Sequence, residues 1–106
     1  MKLGVVIYSS EAEVVWNAFR LGIFALKKGD TVKVFLLAGG VEAETLDTDD
    51  FSVTSEMQTF VDAGGDIKAC GTCLKLRRSE GSEICPLSRM DDLYEIVSDS
   101  NKLLTF

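Results

Sequence analysis

Apolar residues follow two rhythms along this chain. Residues 3–8 form a short β-branched run around Val5, Val6 and Ile7, which reads as a buried strand. Ala12, Val15, Trp16, Phe19, Ile23 and Leu26 then recur at helical spacing and predict a helix over 11–28. Ser10 and Glu13 stand at capping-box spacing before it. Gly29, just past Lys27 and Lys28, ends it. Residues 31–37 are almost continuously apolar toward their end, as a central strand of a parallel sheet would be. Ala38-Gly39-Gly40 closes that strand, and the acidic stretch holding Glu42, Glu44, Asp47, Asp49 and Asp50 reads as a solvated, mobile loop.

The second half repeats the alternation. A helix over 55–63 buries Met57, Phe60 and Val61, and Gly64-Gly65 stops it. Residues 66–70 are a third strand, 74–78 a brief helix, and 79–87 a loop containing Cys85-Pro86. Ser88 caps a helix through Val97 whose inward residues are Met90, Leu93, Ile96 and Val97, and 102–106 is the last strand. Alternating strands and helices predict a single-domain α/β protein over 1–106, with helices on both faces of a parallel sheet and right-handed crossovers.

Composition narrows the function classes. A net charge of −6 argues against nucleic acid, which demands a surplus of Lys and Arg. No apolar run reaches the length of a membrane span, and the chain opens on a strand rather than a signal peptide, so a cytoplasmic location is expected. There is no histidine, which removes Ser-His-Asp and Cys-His catalysis, Cys2His2 zinc sites and a proximal-His haem. Three cysteines are an odd number for a secreted disulfide scaffold and point to free thiols, redox groups or metal ligands.

The chemistry concentrates in Ala69-Cys70-Gly71-Thr72-Cys73-Leu74-Lys75-Leu76-Arg77-Arg78. A thiol becomes a useful nucleophile as thiolate, which forms most readily beside positive charge and at a helix start. Cys70 falls at the end of the third strand, where α/β sheets gather their functional groups. Gly71 permits the tight turn there, and Lys75, Arg77 and Arg78 are placed to lower a thiol pKa. Their ordinary alternative is a solvated basic face. The ordinary reading of Cys70 and Cys73 is two small core residues, and the glycine and basic run beside them favour the functional one.

Cys85 reads as a resolving thiol, a third metal ligand or a packing residue. Three cysteines leave a zinc site one ligand short, and an iron–sulfur cluster normally takes four protein ligands. Ser9-Ser10 could bind an anion, although capping explains it more simply. Gly39-Gly40 is a turn and matches no dinucleotide or Walker motif. Trp16 and Phe19 are core or subunit-interface residues.

Several of these pieces together resemble the DsrE/DsrF-like family of small sulfur-relay proteins. They are the opening strand and amphipathic helix, Leu37-Ala38-Gly39-Gly40-Val41, Gly64-Gly65 before the third strand, Cys70 with Leu74 and Arg77-Arg78, and the closing Asn101-Lys102-Leu103-Leu104-Thr105-Phe106. The resemblance implies a flavodoxin-like, three-layer α/β/α fold with a mainly parallel sheet, and assembly as a homotrimer or a hexamer. It also implies that Cys70 accepts a sulfane sulfur as a persulfide and passes it on. The expected partner is a protein sulfur donor or acceptor, with no organic cofactor. In this reading Arg77, Arg78 and the helix start at Gly71 and Thr72 stabilise the thiolate, Cys73 is a resolving or supporting thiol, and Cys85 a third participant.

The best-understood relay members carry one cysteine in this motif, whereas this chain adds Cys73 and Cys85. A neighbouring thiol can attack a persulfide and release sulfide. Two alternatives stay open: a dithiol–disulfide redox protein or sensor using Cys70 and Cys73, and a non-catalytic oligomeric metal-binding or assembly module.

Overall fold

A computed structural model describes residues 1–106. Five parallel strands, β1 (Lys2–Ile7), β2 (Thr31–Leu36), β3 (Asp66–Cys70), β4 (Leu87–Ser88) and β5 (Lys102–Thr105), form one sheet in the order β4-β3-β2-β1-β5. Helices α1 (Ala12–Lys27) and α2 (Val53–Asp62) pack against each other, while α4 (Met90–Asp99) touches β1 and β2. The short α3 (Gly71–Leu76) follows β3 directly.

Alternation along the strands decides which layer covers which side. Gly4 lies under Ile96 of α4, and Val32 lies near Gly22 of α1. Leu3 and Val32 are register partners. Leu3, Val5, Ile7, Val32, Val34 and Leu36 therefore face α1, and Gly4, Val6 and Phe35 face α4. Phe19 and Phe60 are both fully buried and meet edge to face with ring centroids 5.6 Å apart. The result is the expected three-layer α/β/α arrangement, with every strand parallel.

Most expected elements are present, and the differences have local causes. Ser10 does not cap α1; the Ser9 hydroxyl accepts from the Glu11 N–H at 3.0 Å. The N–H groups of Tyr8 and Ser9 donate to the Phe106 main-chain oxygen, so those two donors are already taken. Gly29, at φ 93°, ends α1 in a conformation that needs glycine.

The part of the acidic stretch that holds Glu42 and Glu44 is not a mobile loop. Ala38–Thr45 is a 3-10 helix, and its carboxylates are engaged: Glu42 pairs with Arg77 at 2.9 Å and Glu44 accepts from the Ser82 hydroxyl at 2.8 Å. Beyond it, Asp47 accepts from the Thr54 hydroxyl and N–H in the first turn of α2, and those bonds hold its carboxyl below the usual range.

Ser88 belongs to the two-residue strand β4 rather than to a helix cap, because a strand that short leaves too little pattern to read. Asp92 instead accepts from the Arg89 N–H at 2.8 Å to open α4. Of the four inward residues expected on α4, Ile96 is buried and Leu93 half-buried, while Met90 and Val97 are exposed. This helix packs through one stripe only.

The turn after β2 presses onto β1. A Cβ on Gly40 would collide with the main-chain carbonyl of Ile7, which has no room to yield. Gly40→Ala is expected to lower stability by about 1–3 kcal/mol or more, in the manner of an overpacked core, with a matching fall in the urea midpoint. An unchanged midpoint would show that the turn has slack.

Candidate functional site

Because β1, β2 and β3 are neighbours in register, their C-terminal ends share one rim. Gly39 lies against Ser10 and the Tyr8 carbonyl, so the turns after β1 and β2 touch. Cys70 closes β3 and leads into α3, where its Sγ accepts from the Cys73 N–H at 3.4 Å. Cys73 Sγ in turn accepts from the Ala38 N–H at 3.4 Å. Ala38 has φ 50°, a left-handed conformation unusual for a residue with a side chain. That conformation directs its N–H across to α3.

The two sulfurs line one cleft of about 490 Å³, together with Leu37, Thr72, Lys75, Ser88, Arg89 and Met90. No carboxylate lines it, in a chain of net charge −6. A larger concavity of about 650 Å³ lies beyond Lys75, bounded by Arg78, Glu80 and Pro86, and reaches no sulfur. It is open, which is poor shape for holding a small molecule.

The two thiols of the cleft differ. Cys70 is 7% exposed and Cys73 is half-buried; neither forms a disulfide. Burial pushes the Cys70 thiol up, the adjoining Cys73 thiol adds to this, and the main-chain N–H groups of Cys73 and Thr72 oppose it. The expected lowering by basic neighbours is therefore reversed in direction. Arg77 spends its guanidinium on Glu42, at 2.9 Å, and on the Cys73 carbonyl, at 3.2 Å. It braces α3 against the 3-10 helix instead of facing the Cys70 sulfur. Arg78, at φ 53°, borders the larger concavity. Gly71 supplies space, since a Cβ there would sit 3.0 Å from the Ser88 carbonyl. Thr72 contributes its N–H.

Cys85 is a buried residue in the loop before β4, outside the cleft lining. Burial, with the Glu44 carboxylate beside it, pushes its thiol up to about 12. It is a packing residue with a poor claim to nucleophilicity. No three of the Cys, Asp and Glu side chains converge as a metal site. Trp16 packs edge-on to Phe51 at 5.2 Å under Arg20, so it serves the α1–α2 layer.

Sequence reasoning missed Ala38, Glu42, Ser88, Arg89 and Met90 as parts of this site. The Gly-Gly pair after Ala38 was the one available signal, since adjacent glycines mark close backbone approach.

The sequence profile of the DsrE/DsrF-like family matches residues 1–106. The chain belongs to the DsrE/DsrF-like family. An uncharacterized protein of Methanopyrus kandleri is 29% identical over 100 residues, covering 89% of this chain and 83% of that one. The crystal structure of the ychN protein from E. coli matches with a TM-score of 0.84 over 100% of both chains at 18% identity, which is a likeness of fold. Within this family fold the cysteine pair stands at the rim of β3, beside the short edge strand β4.

Cys85 makes stability pH-dependent in a defined direction. Its folded pKa is raised from 9.0 to about 12, so the stability it contributes is fully present below pH 9.0 and is lost as pH climbs toward 12. Urea melts across that window should show a fall that is smaller in Cys85→Ala, measured against each protein's own neutral value. An equal fall in both would remove Cys85 as its source.

Proposed function

We propose that this chain is a sulfur-transfer protein that carries sulfane sulfur as a persulfide on Cys70. The observation that carries this reading is the pairing of Cys70 and Cys73 in one cleft at the end of β3, with a main-chain N–H on each sulfur. Membership in a family of this fold supports it. The Cys70 thiolate attacks the outer sulfur of a donor persulfide. A Cys70 S–S bond forms, the donor S–S bond breaks, and the donor leaves as thiolate. The partner is another protein thiol or persulfide, and the exchange needs no organic cofactor. Lys75 and Arg89 line the same cleft, and no carboxylate does.

A redox reading draws on the same pair, and its distinguishing product is a Cys70–Cys73 disulfide formed with no sulfur donor present. The sulfur-transfer reading predicts stoichiometric uptake of one sulfur from a persulfide donor, mapped to Cys70 by mass spectrometry and lost in Cys70→Ser. Because the Cys70 thiol is raised above 9.0, the loading rate should keep climbing through neutral pH instead of levelling off in the acid range. Equal uptake by Cys70→Ser would refute the assignment.

Assembly is a further part of the proposal. Met90, Tyr94 and Val97 follow one another on the outer face of α4, exposed at 65%, 73% and 46%, and Leu103 and Leu104 of β5 are also exposed. Singly exposed apolar residues are ordinary, but a run on one helix face favours contact with another copy. Met90 also lines the cleft, so a subunit boundary on α4 would reach its lip. Light scattering should give a homotrimer or a hexamer, and Tyr94→Lys should shift the mass toward monomer. A monomeric wild-type chain would end this part of the proposal.

A further inference from the structure

A carrier needs one sulfur, and this cleft supports two. Cys73 Sγ lines the same cleft as Cys70 and is the more exposed of the pair. Its partner, the Ala38 N–H, comes from a different element, the turn pressed against β1 through Gly39 and Gly40. The Ala38 N–H holds Cys73 Sγ at the cleft, as the Cys73 N–H holds Cys70 Sγ. The left-handed Ala38 is held in place to provide that donor.

We infer that Cys73 discharges the sulfur that Cys70 accepts, so that the chain reduces sulfane sulfur to hydrosulfide and is left with a Cys70–Cys73 disulfide. This rests on the sulfur-transfer reading. Starting from the Cys70 persulfide anion, Cys73 Sγ attacks Cys70 Sγ. A bond forms between the two cysteine sulfurs, and the bond from Cys70 Sγ to the outer sulfur breaks. The outer sulfur leaves with the bonding pair and takes the proton that Cys73 gives up, departing as HS⁻. The sulfane sulfur gains two electrons and the cysteine pair loses two.

Resetting the pair requires an external dithiol as reductant. Its first thiolate attacks the more exposed sulfur, Cys73, and Cys70 leaves as thiolate toward the N–H groups of Cys73 and Thr72. Its second thiol then frees Cys73 and carries the disulfide away.

The test is to load full-length chain with glutathione persulfide, remove the excess, and follow sulfide with an alkylating trap in the absence of reductant. The wild type should release its loaded sulfur as sulfide and acquire the Cys70–Cys73 disulfide. Cys73→Ser keeps an acceptor for the Ala38 N–H; it should load normally, retain the persulfide and release sulfide about tenfold more slowly or not at all. Release by Cys73→Ser at the wild-type rate, or a wild type that keeps its persulfide and forms no disulfide, would overturn the discharge step and leave sulfur transfer standing. Equal loading of Cys70→Ser would instead remove the carrier assignment, and the discharge with it.

Discussion

The close approach of the 38–40 turn to the end of β1 is the contact on which the cysteine pair depends. Gly40 sits against the Ile7 carbonyl where no side chain fits, and Gly39 against Ser10. Parallel pairing of β1, β2 and β3 brings the three turns to one rim, but pairing alone would not aim Ala38. The turn does so by holding Ala38 left-handed, with its N–H on Cys73 Sγ. Two glycines and one strained alanine thus connect the core of the sheet to the chemistry at its edge. The same 3-10 helix returns the support further along: Glu42 grips Arg77 and steadies α3 from the other side.

Charge in this protein is divided between bracing and environment. The carboxylates nearest the site are spent on structure, Glu42 on Arg77, Glu44 on Ser82 and Asp92 on the Arg89 N–H and on Lys68. The Lys68–Asp92 pair is about one-third exposed on both sides and links β3 to α4. Such half-exposed pairs contribute little to stability, so their effect is positional. Lys75 and Arg89 line the cleft and no carboxylate does, with Arg89 paired on the exposed side to Asp91 at 3.8 Å.

The layered fold was legible from periodicity because its strands are short apolar runs and α1 carries a complete stripe from Val15 to Ile23. The position of Cys70 at the end of β3 followed from the same reading. What the pattern could not express was anything set by contacts between distant turns. Arg77 looks like a thiolate partner when only residues 70–78 are considered. Its ion pair with Glu42 joins positions 35 apart. The acidic stretch after Gly40 looks solvated for the same reason. β4 escaped notice because two residues carry no period. Cys85 could not be sorted from its neighbours, since burial beneath a loop leaves no mark in local composition.

Burial and reactivity are balanced differently at the two sulfurs, and that asymmetry gives the pair a direction. The sulfur enclosed at the end of the strand resists ionisation, which shields a free thiol from casual oxidants but slows its attack. On the proposed sulfur-transfer reading, a persulfide is intrinsically more acidic than the thiol it replaces; the enclosure still opposes its charge, but it ionises at lower pH, and the N–H groups of Cys73 and Thr72 favour that anion. The half-open sulfur three residues on meets solvent and any macromolecular partner first. The second sulfur, held on a main-chain donor from another element, gives the cleft an inner and an outer position.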